Sequence, residues 1–119
     1  MEPLRVAVVE ISNHSDPSGR IAEAAKLYGQ GYVDQIFLLG SDFSRICSAH
    51  MACLWHCVPI NDVIIDRPNL ASFVRDSEEG VKPLVVITTW LRFVNAWYRF
   101  RKQPKWVWSV IEFHAASIL

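Results

Sequence analysis

Three cysteines and a histidine crowd one short stretch of this chain: Cys47, His50, Cys53 and Cys57. On a helix the last three fall within a narrow arc of one face, an arrangement that invites a metal centre. Length argues against it. Cys47 and Cys57 stand about 15 Å apart along a helix, and bonds of about 2.0–2.3 Å cannot collect all four side chains on one ion. No metal is expected, and the three thiols read as reduced, buried packing residues. A Cys–His dyad with His14 or His114 as base has no activated thiol to start from. No Ser–His–Asp order carries a nucleophile elbow either. The sequence assigns no catalytic residue.

Anion chemistry has more to work with. Ser12-Asn13-His14-Ser15-Asp16-Pro17-Ser18-Gly19 is a polar loop followed by Arg20. Placed between a strand and a helix, such a loop aims backbone N–H groups and a helix dipole at negative charge. With one glycine it matches neither the dinucleotide fingerprint nor the P-loop. Ser12 and Asn13 could bond a ligand, and Arg20 could hold a phosphate or carboxylate bidentately. Gly40-Ser41-Asp42 would let a ligand approach closely and offer it a carboxylate for hydroxyl groups. Thr88 and Thr89 could bond a phosphate, with Asp66 and Arg92 completing the group. Turns and helix caps use the same residue types, so ordinary capping competes with binding at each position.

These residues can meet only if the elements between them bring them together. Aliphatic runs at Val6–Ile11, Gln35–Leu39, Asn61–Asp66, Leu84–Thr89 and Val107–Phe113 alternate with segments of helical spacing. The helices are expected from the 16–18 region to Gly29/Gly31, over Phe43–His56, over Asn69–Gly80 and over Leu91–Lys102. Strands alternating with helices specify a parallel sheet covered on both faces. Ligands of such sheets sit outside the carboxyl ends of the strands, where nearly all the polar candidates fall. One three-layer α/β domain, Rossmann-like with about five strands, is expected over residues 1–119.

Several stretches taken together resemble the YdcF/SanA/ElyC-like family. Arg20-Ile21-Ala22-Glu23-Ala24-Ala25-Lys26-Leu27-Tyr28-Gly29-Gln30-Gly31 is similar to its R-x-x-x-A-x-x-L-Y-x-x-G helix. Ile36–Gly40 resembles its second strand. Cys57-Val58-Pro59 followed by Ile64-Ile65-Asp66 resembles G-V-P, then I-x-x-E. Val86-Ile87-Thr88-Thr89, with Ala96 and Phe100 downstream, resembles V-V-T-S-x-x-H-x-x-R-A-x-x-x-F. The resemblance implies a small Rossmann-like fold and, as cofactor, S-adenosylmethionine or a nucleotide. Departures cluster at polar positions. The family's helix acid falls near Cys47, its Asn at Arg75, its His at Arg92 and its Arg at Asn95. A changed ligand, or a decayed site, is what those departures imply.

Composition narrows the partners. The chain of 119 residues is 51% apolar and carries 12 basic and 12 acidic residues. A formal net charge of zero disfavours nucleic acid, despite an aromatic and basic segment from Trp90 to Trp108. Within it Trp90, Phe93, Trp97 and Phe100 have the spacing of one core-facing stripe. Trp97, Trp106 and Trp108 read as a self-association surface, because a small domain seldom hides five tryptophans alone. No apolar stretch approaches the roughly twenty residues of a membrane span, and no signal segment precedes the first strand. A cytoplasmic protein is expected, binding a small anionic metabolite or else acting as a non-enzymatic oligomeric interaction protein.

Overall fold

A computed structural model of the chain describes residues 5–11, 16–40, 42–65, 84–89 and 111–117. The expected helices at 69–80 and 91–102 lie outside them, as does the tryptophan surface at Trp97, Trp106 and Trp108. The described chain runs β1 (Val6–Glu10), α1 (Ser18–Gly29), β2 (Gln35–Leu39), α2 (Phe43–Trp55), a single 3-10 turn (Ile60–Asp62), β3 (Val63–Ile64), β4 (Leu84–Thr89) and β5 (Ile111–Ser117). No described helix is long and apolar enough to cross a membrane.

The strands pair in the order β3-β2-β1-β4-β5, and every pairing is parallel. Two successive crossovers step outward from β1 to β2 to β3; the chain then returns across β1 to place β4 on its other side. This is an α/β fold with the winding of Rossmann-like sheets.

Alternation along the strands divides the core in two. Ala7, Val9, Ile36, Leu38, Val85 and Ile87 pack with Ile21, Ala24 and Leu27 of α1 and with Ile46, Ala49 and Cys53 of α2. Val6, Val8, Phe37, Leu84 and Val86 point the other way, stand outside that cluster, and are likewise fully buried. Burial on both faces explains why these strands are continuous aliphatic runs rather than alternating ones.

Both helices end in the same hydrogen-bonded closure. After α1, Gly31 N–H donates to the Tyr28 carbonyl (3.0 Å) and Tyr32 N–H to that of Leu27 (3.0 Å). After α2, Cys57 N–H donates to Leu54 (2.9 Å) and Val58 N–H to Cys53 (3.1 Å). This Schellman pattern requires a left-handed residue, usually glycine. Gly31 supplies it at φ 77°, and Cys57 does so at φ 66° without being a glycine. Cys57 is exposed and Cys47 half-buried, so of the three thiols only Cys53 is a buried packing residue. The expectation of three buried cysteines is corrected accordingly: the turn needs position 57 outside the helix, at the surface.

The expected strand Val107–Phe113 overlaps β5, which is described over Ile111–Ser117; residues 107–110 lie outside the described residues. The register of β5 sets Glu112 opposite Val85 and His114 opposite Ile87, on the side that faces α1. Polar residues are tolerated there because α1 and the turn after it supply partners. His114 Nε2 lies 2.8 Å from Glu23 Oε1, and the Tyr32 hydroxyl donates to the Glu112 carboxylate at 2.8 Å. Arg5 sits over the Tyr32 ring at 4.6 Å. On the opposite flank the Tyr28 hydroxyl donates to Asp62, which holds the phenol pKa above its ordinary value.

Candidate functional site

Parallel winding points every strand's carboxyl end to one edge of the sheet. The order reverses between β1 and β4, and the crevice outside such a reversal is where open α/β sheets bind ligands. Glu10 and Ile11 mark the end of β1, and Thr88 and Thr89 that of β4. Thr88 is buried. Opposite the step from Thr88 to Thr89 the register slips, so that Ala115 and then Ser117 face them. Bulges of this kind re-aim the end of a strand and gather beside binding sites.

Beside the end of β1 a cleft of about 270 Å³ opens between the first turn of α1 and the stretch of α2 from Arg45 to Ala52. Its floor is apolar: Ile11, Ile21, Ala49 and Ala52. Its rim carries Asp16, Ser18, Arg45 and Ser48. Small residues on α2 leave the space, since bulkier side chains at 49 and 52 would fill it. Among the described residues nothing stands within 4 Å of where a side chain at Gly19 would start.

Each helix start is fastened by an aspartate. Asp16 Oδ1 accepts from the Ser18 N–H (3.0 Å) and from the Ser18 hydroxyl (2.7 Å). These bonds, the backbone one foremost, hold the Asp16 carboxyl below its ordinary pKa. Asp42 accepts from the Arg45 N–H at 3.2 Å, the ordinary role of an N-cap carboxylate.

Several sequence candidates turn out to hold the scaffold. Arg20 is buried, and its guanidinium donates to the Glu10 carbonyl at 3.0 Å, pinning the first turn of α1 to the end of β1. Gly40 admits a close approach, but the approaching group is the chain itself. An added Cβ would lie 2.7 Å from the Ile11 carbonyl oxygen, where Ile11 N–H donates to Leu39 O at 2.8 Å. Asp42 serves the α2 cap. Thr88 and Thr89 do stand at the crevice. Ser12, Asn13, Ser41, Asp66 and Arg92 lie outside the described residues.

Arg45 and Ser48 were missed by sequence reasoning. The signal was present: Arg45, Ser48, Ala49 and Ala52 recur at three- and four-residue spacing, one face of a helix whose start lies at the ligand edge. The cysteines offer no comparable chemistry. Burial pushes the Cys53 thiol up to about 11, away from the thiolate that a nucleophile or ligand needs. Among the described residues no three of His, Cys, Asp and Glu group together as metal ligands would.

Compared with protein-family models, curated proteins and solved structures, the chain matches none of them.

Proposed function

We propose that this chain is a small Rossmann-like binding domain for a nucleotide-like or other anionic metabolite, seated across the carboxyl ends of β1 and β4 and the cleft between α1 and α2. The observation that carries this reading is the reversal of strand order between β1 and β4, with that cleft opening beside the end of β1. Ile11, Ile21, Ala49 and Ala52 would receive an apolar ring. Ser18 and Ser48 would supply hydroxyl groups, Thr88 would form the strand end beside them, and Arg45, with Arg92 from the sequence, would supply positive charge.

The same reading extends to the architecture. Burial of Val6, Val8, Phe37, Leu84 and Val86, on the face turned away from α1 and α2, supports a second covering layer there. The likeness to the YdcF-like family rests on its quoted motifs and makes S-adenosylmethionine one ligand to test.

Thermal unfolding against nucleotides, S-adenosylmethionine, sugar phosphates and simple anions tests the proposal. A true ligand at a hundred times its Kd stabilises by about 2.7 kcal/mol, raising Tm by a few degrees. Ser48→Leu should abolish the shift without lowering the unliganded Tm, and Arg45→Ser should weaken it. A flat panel would contradict the reading.

A further inference from the structure

The two faces of α2 do not match. Ile46, Ala49 and Cys53 are buried against the sheet and α1. The outward face should then be polar, as on any surface helix. Instead Phe43 is 76% exposed, Met51 65% and Trp55 87%, with Ile60 just beyond at 59%. Cys47 and Leu54 lie half-buried on the same stripe. Only one of the thirteen residues of α2, Arg45, is an acid, a lysine or an arginine, and helical spacing sets it off the stripe.

We propose that this stripe is a homodimer interface, occupied by the α2 of a second copy lying antiparallel across it. Its spacing is self-complementary. Phe43 and Trp55 lie six residues to either side of Ala49, and Cys47 and Met51 two. A two-fold axis at the level of Ala49 therefore sets Cys47 against the other copy's Met51 along the seam, with Phe43 and Trp55 on its two flanks. Such an isologous contact, in which i meets j and j meets i, is what a closed dimer requires. No charge in the stripe opposes a like charge across that axis, and antiparallel helix dipoles attract.

The area fits as well. Exposed to this degree, the four large side chains present roughly 600 Å² of apolar surface. Pairing two copies would bury up to about 1,200 Å² from these side chains, the lower edge of the range for specific interfaces. This inference does not rest on the ligand reading, since none of Phe43, Cys47, Met51, Leu54 and Trp55 lines the cleft.

Sedimentation velocity from about 1 μM to about 0.5 mM, a range that brackets a micromolar Kd, tests it on the whole chain. The native protein should pass from monomer to dimer, and Met51→Glu and Trp55→Glu should each weaken association at least a hundredfold. Both positions are exposed, so circular dichroism and Tm should not fall. A second test requires association in the stated geometry. In a Cys57→Ser background, Met51→Cys should form, on mild oxidation, a disulfide from position 51 of one copy to Cys47 of the other. A strictly monomeric chain overturns the proposal, including one that instead binds anionic phosphatidylserine vesicles or another protein's helix. A dimer that survives both glutamates overturns it too, and would move the interface elsewhere, for example to Trp97, Trp106 and Trp108.

Discussion

Helices α1 and α2 are built to one plan and finished differently. They span twelve and thirteen residues, start beside an aspartate, cover one face of the sheet, and close with the same pair of hydrogen bonds. On α1 the exposed positions are small or polar: Ser18, Gly19, Ala22, Lys26 and Gly29. On α2 they include Phe43, Met51 and Trp55. The left-handed closing residue is a glycine after α1 and a cysteine after α2. Helix α1 is thus a solvent-facing element tied to β1 and β5 by polar contacts, whereas α2 presents one apolar face to the core and another outward. The cleft lies between them, so the proposed ligand would touch both helices and a second copy only α2.

The sharpest way to break this symmetry of plan is at the strand ends that seat the helices. Gly40→Ala drives a Cβ toward the Ile11 backbone, which cannot rotate aside, and should cost about 1–3 kcal/mol. Arg20→Met removes the tie between α1 and the Glu10 carbonyl and should cost about 2 kcal/mol. Urea unfolding measures both, and values near zero would mean that neither contact shapes the site edge.

At the helix ends the prediction has opposite signs. Gly31→Ala forces a Cβ into the left-handed region and should destabilise by about 1 kcal/mol. Cys57→Gly relieves the corresponding strain after α2 and should stabilise by about 0.5–1 kcal/mol. Loss of stability in both variants would show that the Cys57 side chain holds something the backbone geometry does not explain.

The smallest effect is at Asp16. Its folded pKa lies below the ordinary 3.8, so the bonds to Ser18 contribute fully above that value. They are lost as pH falls through the lowered folded value. Asp16→Ala should therefore remove a small part of the acid sensitivity below pH 3.8, and leave the pH 7 fold intact. An acid-unfolding curve identical to that of the native protein would show that the bonds from Ser18 to Asp16 do not hold the start of α1.

The alternation of aliphatic runs and helical spacing was enough to place β1, α1, β2, α2 and β4 and to give the parallel winding. What it could not give was the identity of the atom each polar residue would meet. Arg20, Gly40 and Asp42 have the composition of a binding loop, but the first bonds a strand end, the second makes room for Ile11, and the third caps a helix. Local sequence is blind to such choices, because a backbone carbonyl and a ligand oxygen ask for the same donors. The fifth strand was expected to stop at Phe113 but continues to Ser117, because His114 looks too polar for a sheet until Glu23 is placed beside it. Cys57 carried no glycine-like signal for a left-handed turn, and Arg45 with Ser48 was hidden in a stretch read only for its cysteines.

Amide chemical-shift mapping on the ¹⁵N-labelled chain, titrated with ADP, S-adenosylmethionine and pyrophosphate, tests the ligand site most directly. At least one of these should move Ser18, Gly19, Ser48 and Thr88 together, at the carboxyl edge between α1, α2 and β4. Shifts confined to Met51 and Trp55, or no shift with any of the three, would contradict the ligand reading.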